Sequence, residues 1–183
     1  MSENNDQKNN VLSNVQGQMR LSERIAAFIP GFRGYKEKEI RRESDRLLRN
    51  HLYLKLSTEK NDLREISQKI ADRRYFDVMT DMDRLLAKMD RVAEKVNHAS
   101  YGYSGFFDAV KVKEENLDNM IAFDNKLIDG VNALASQIDA FKADLANGNT
   151  SNMKTDVQNV TAKLESLEDT FDQRNEVIMG VTQ

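Results

Sequence analysis

Apolar residues recur along most of this chain at alternating steps of three and four, the spacing that keeps one stripe of a helix against a partner. The sharpest run is Leu117, Met120, Asp124, Leu127, Val131, Leu134, Ile138, Phe141 and Leu145, an unbroken seam with one polar member. After Asn147-Gly148-Asn149-Thr150 the same rhythm resumes as Met153, Val157, Val160, Leu164, Leu167, Phe171, Arg174 and Ile178. Upstream, Leu48, Leu52, Leu56, Leu63, Ile66 and Ile70 form one line, and Tyr75, Met79, Met82, Leu86, Met89, Ala93 and Val96 another. The pattern predicts an all-α fold, an elongated antiparallel helical bundle or coiled coil of three to four long helices joined by short loops.

Breaks in the rhythm set the boundaries. Residues 1–17 are polar and predict a disordered tail. Residues 18–34 predict a short amphipathic helix, Gln18 to Ile29, closed by a turn. There Ile29-Pro30-Gly31-Phe32 suits type II geometry, with proline presetting φ and glycine accepting a positive one. Residues 35–183 predict the bundle. Between Ile70 and Tyr75 the two lines fall out of phase, so either the chain reverses at Arg73-Arg74 or one long helix absorbs a stutter. Ser57-Thr58-Glu59 offers a rival helix start. The third helix is expected over Phe106 to Asn147, with Gly130 off its seam, and the fourth from Ser151. A single reversal between Tyr35 and His98 would bring the Pro30 to Tyr35 loop and the Tyr101 to Phe107 loop to one end.

Composition narrows the chemistry. There is one proline and no tryptophan, and the absence of cysteine excludes disulfides, thiolate metal sites and cysteine nucleophiles. No run approaches the roughly 18 apolar residues of a spanning helix. The polar start does not read as a secretory signal. These features point to the cytoplasm, with peripheral membrane attachment open. The net charge of −3 conceals a split: residues 20–74 hold 15 Lys+Arg against 9 Asp+Glu, and residues 75–183 hold 11 against 19. A basic half can attract phosphate-bearing surfaces, or can simply pair with acidic helices of its own bundle.

Three groups of residues are candidates for function. Phe32, Arg33, Tyr35, Lys36, Lys38, Arg41 and Arg42 interleave rings and cations beside a glycine, a combination suited to a partner or an anion, and equally to docking a loop through Phe32 and Tyr35. Tyr101, Tyr103, Phe106 and Phe107 are four of the chain's thirteen Phe and Tyr residues, and form a candidate aromatic docking loop or plug. Asp124 and Arg174 place charge on apolar seams, where polar residues commonly set register. Their axial positions leave open whether they touch.

No catalytic or cofactor-binding motif is present. The two histidines, His51 and His98, lack the Glu-x-x-His spacing of di-iron bundles, and Asp77, Asp81 and Asp83 lack the glycine and glutamate of a calcium loop. No cofactor or metal is expected. The sequence favours a non-catalytic cytoplasmic scaffold or adaptor with a protein partner or a second copy of itself. The alternatives are a binder of anionic lipid or nucleic acid through residues 33–49, and a small-ligand or enzymatic site at the aromatic end.

Overall fold

The computed structural model describes residues 21–99 and 113–180, with the side chains of Lys38, Glu39, Glu114 and Gly180 excepted, and all regular structure within them is helical. The expected tail at 1–17 and the aromatic loop of Tyr101, Tyr103, Phe106 and Phe107 lie outside the described residues. Five helices follow in order: α1 (21–28), α2 (Lys38–Asp72), α3 (Met79–His98), α4 (Glu114–Asn147) and α5 (Met153–Gly180). Short 3-10 turns, Phe76–Val78 and Thr150–Asn152, lead into α3 and α5. No helix among the described residues is long and apolar enough to cross a membrane.

Each joint has a local cause. Pro30 has no amide hydrogen to continue α1, and Gly31, at φ 87°, turns the chain so that Phe32 N donates to Ile29 O at 3.1 Å. Gly148, at φ 77°, ends α4 by a Schellman cap in which Asn149 N donates to Asp144 O and Gly148 N to Leu145 O. The same ring closes α2: Tyr75 N donates to Ile70 O at 3.1 Å and Arg74 N to Ala71 O at 2.9 Å. Here the left-handed position, φ 61°, belongs to Arg74. The chain therefore reverses at Arg73-Arg74. The rival start at Ser57-Thr58 is interior to α2, where Thr58 Oγ1 donates to Leu54 O at 3.1 Å.

The apolar lines form one core. Every apolar member of the α4 and α5 seams is buried, and Asp124 and Arg174 lie among them at 0% exposure. The α3 line is wider than its heptad reading: Leu85 and Val92 are buried, whereas Tyr75, Met79 and Leu86 are half-buried. The reason is that α3 packs against both α2 and α5, and one stripe cannot serve two neighbours.

Side-chain pairs give the relative directions. Lys60 with Asp90 and Arg49 with the Asn97 carbonyl run α2 and α3 in opposite senses. Asp124 with Arg174, and Gly130 against Leu167, do the same for α4 and α5. Across α3 and α5, Lys88–Glu165, Arg91–Glu168 and Lys95–Asp172 advance together, so these helices are parallel. Lys142–Asp62 joins α4 to α2. Both helix-helix turns, 73–78 and 148–152, thus lie at one end, the turn end. The start of α2, the close of α3, the start of α4 and the close of α5 gather at the other, the loop end.

Candidate functional site

The loop end is organised around a buried charge network. Arg174 on α5 donates from Nε to Asp124 Oδ1 on α4 at 2.7 Å and from Nη2 to the Tyr35 hydroxyl at 3.2 Å. Tyr35 in turn donates its hydroxyl proton to Asp124 Oδ2 at 2.5 Å. Arg174 Nη2 also lies 2.9 Å from Asp45 Oδ1 on α2, and Asp45 Oδ2 accepts from Arg49 Nε at 2.8 Å. Arg49 Nη1 reaches the Asn97 carbonyl on α3 at 3.1 Å. Two carboxylates and two guanidiniums therefore bind the four long helices to one phenol of the 29–37 loop. Asp124, Arg174 and Tyr35 are each 0% exposed. Charges so placed are tolerable only when each is matched by a partner and by hydrogen bonds.

The loop's backbone is held from below. Arg41 Nε donates to the Tyr35 carbonyl and Ser44 Oγ to the Gly34 carbonyl, both at 2.8 Å. Phe32 stands edge-on to the Tyr35 ring, with centroids 5.6 Å apart. Gly34, at φ 82°, supplies the second left-handed residue the loop requires.

Electrostatics follow from this burial. The Tyr35 phenol is pushed well above its ordinary pKa, first by burial and then by the Asp124 carboxylate, against the opposing pull of Arg174. It stays a proton donor. Burial also raises the Asp124 carboxyl, while Arg174 and the two hydrogen bonds pull it back in part. For Arg174 burial disfavours the charge, but Asp124, Tyr35 and Asp45 together more than offset it, and the guanidinium is held well above its usual range. Arg174 Nη1 is buried without a hydrogen-bond partner among the described residues.

The residues singled out from sequence fall into two sets. Phe32, Tyr35 and Arg41 are buried and face inward, whereas Arg33, Lys36 and Arg42 are exposed. The Lys38 side chain lies outside the described residues. Asp124 and Arg174 do touch, across a gap that sequence position left open. Pro30, Gly31, Arg33, Ile40, Glu43 and Leu47 line a shallow groove on the outer side of the loop.

The candidates from sequence do not include Ser44 or Asp45, place Arg49 only within the basic stretch 33–49, and give Arg41 as a contact for a partner or an anion, whereas all four side chains are buried. A signal existed. Carried upstream, the α2 line runs Arg41, Asp45, Leu48, Leu52, and its gap between Leu56 and Leu63 is filled by Glu59, itself 7% exposed. Polar residues at seam positions were recognised in α4 and α5 but not where they began a helix.

Among the described residues no three His, Asp or Glu side chains converge to hold a metal. What the arrangement can do chemically is fix geometry: every polar group of the Arg174 cluster points into the protein, and the loop residues above it are held in one conformation. No protein-family model, no curated protein and no solved structure matches the chain.

Proposed function

We propose that this chain is a non-catalytic scaffold or adaptor, an elongated bundle of four long helices in two antiparallel hairpins that recognises a protein partner with the outer surface of its loop end. One observation carries the reading: Tyr35, fully buried and bonded to Asp124 and Arg174, pins the loop from beneath. A surface held in advance loses less entropy on binding than a mobile one. Arg33 and Lys36 are the exposed residues so held.

A photo-crosslinking amino acid at Arg33 tests this in cells, with one at exposed Asn50, on α2, as the control. A discrete protein adduct at position 33 and none at 50 is the expected result. Equal or absent labelling at both positions sinks the proposal.

A second reading has a specific support. Arg33 and Lys36 are exposed and enter no ion pair among the described residues, which favours an anionic surface of lipid or nucleic acid. Such binding should weaken steeply as salt rises. Lack of any affinity for anionic vesicles or nucleic acid at low salt would exclude it.

A further inference from the structure

The polar contacts of α1 go to α4, a helix about a hundred residues away in the chain. Asn125 Nδ2 donates to the Leu21 carbonyl at 3.2 Å, and Arg24 Nη2 pairs with Asp129 Oδ1 at 2.8 Å. On α4 these contacts follow a second stripe, separate from the seam shared with α5. Ile121, Asn125 and Ile128, at steps of four and three, are 5%, 5% and 4% exposed. On α1 the matching face is Leu21, Ile25 and Ile29, of which Ile25 and Ile29 are 0% and 2% exposed. The α4 stripe is thus suited to an amphipathic helix with apolar residues at every fourth position, a cation three residues after the first, and a backbone carbonyl at the first to accept from Asn125.

The link from α1 to its body is narrow. Phe32 stays with Tyr35 through the ring contact, so the freedom of α1 resides in Pro30-Gly31, where Gly31 folds the chain back at a φ of 87°. Release would expose the buried Ile25 and Ile29 to water. A released α1 must find an apolar stripe again.

We infer that α1 exchanges between two copies of this chain, residues 21–29 of each copy occupying the Ile121–Asn125–Ile128 stripe of the other, with Gly31 as the hinge. A second copy is the occupant because it carries the complete pattern, including Arg24 for Asp129, and the exchange creates every contact it breaks. In the closed monomer the tether gives α1 a high effective concentration, so the monomer dominates in dilute solution. A hinge that cannot fold back shifts the balance toward the dimer.

Because the chain has no cysteine, placement of α1 can be read by a short bismaleimide between Arg24→Cys and Asp129→Cys. Two populations, one carrying each cysteine, are refolded together at high concentration and then crosslinked. A covalent dimer is expected, since only an α1 docked on another copy can join them. In the chain bearing both cysteines, Gly31→Val should move the product from monomer to dimer and lower the dimer dissociation constant roughly tenfold or more, because valine resists positive φ. Should Gly31→Val fail to fold by circular dichroism, the mixed-population experiment decides alone. Absence of the mixed covalent dimer overturns the inference, as does a folded Gly31→Val chain that gives only intramolecular product.

Discussion

Asp124 and Arg174 are charges set where their neighbours along each seam are apolar, and neither has water as an alternative partner. Replacing Asp124 by Leu leaves Arg174 buried without its main partner, and the expected loss is about 3–5 kcal/mol. The double replacement Asp124→Leu with Arg174→Met removes both charges and should recover most of that loss, as read by chemical denaturation. A double variant as unstable as the single one would show that the pair supplies more than mutual compensation. Glu59 obeys the opposite logic. Its carboxyl is raised above the usual range by burial and then by Asp62 and Asp139, with Lys55 and Lys142 pulling the other way. The folded chain therefore binds this proton more tightly than the unfolded chain. The group costs stability at neutral pH, and that cost fades as pH falls through the raised folded value to the ordinary glutamate value of about 4.3. Glu59→Gln should melt higher than the parent at neutral pH and level with it below that value; equal melting at neutral pH would contradict this account. At this scale the sequence was partly legible. A charge among Leu and Val at fixed steps announces itself, as at Asp124, whereas Asp45 and Arg41 precede the first leucine of their line and have apolar company on one side only.

Helix positions were legible wherever a breaker residue stood. Pro30, Gly31 and Gly148 punctuate the chain because their chemistry forbids or invites particular φ values. The reversal at Arg73-Arg74 was left ambiguous because it uses an ordinary Schellman cap with arginine in the left-handed position. That position costs an L-residue roughly 1–2 kcal/mol. Arg74→Gly should therefore raise stability, by up to about 1 kcal/mol once the extra freedom of glycine in the unfolded chain is subtracted. A loss of stability in a thermal melt would mean that the Arg74 side chain contributes more than its backbone costs. Gly130 also has a neighbour invisible in sequence: a Cβ there would stand 3.0 Å from Leu167 Cδ1 on α5, so a larger residue would require the Leu167 side chain to shift. The width of the α3 line followed from topology. No single-helix period can report that a helix has two neighbours.

Across the whole molecule, the charge split of the sequence is resolved in part by pairing between helices. Arg24 of α1 and Lys60 of α2, in the basic half, meet Asp129 and Asp90 in the acidic half, whereas the pairs of Lys88, Arg91 and Lys95 of α3 with Glu165, Glu168 and Asp172 of α5 lie within the acidic half. The buried network, by contrast, concentrates at the loop end. Asp124→Leu should therefore speed amide hydrogen exchange in residues 32–49 and 120–128 while residues 60–70 and 138–160 keep their protection; a uniform rise along the chain would argue against a localised role. The two turns at the opposite end have a separate consequence, for rates. Each joins helices adjacent in sequence, so their hairpins close by local contacts and form without waiting for distant parts of the chain. Tyr35, Asp124 and Arg174 meet across sequence separations of 50 to 139 residues, and such contacts assemble late. Weakening them should leave refolding speed nearly unchanged and accelerate unfolding. The cluster at the open ends of the hairpins thus acts as a clasp on the folded state's lifetime.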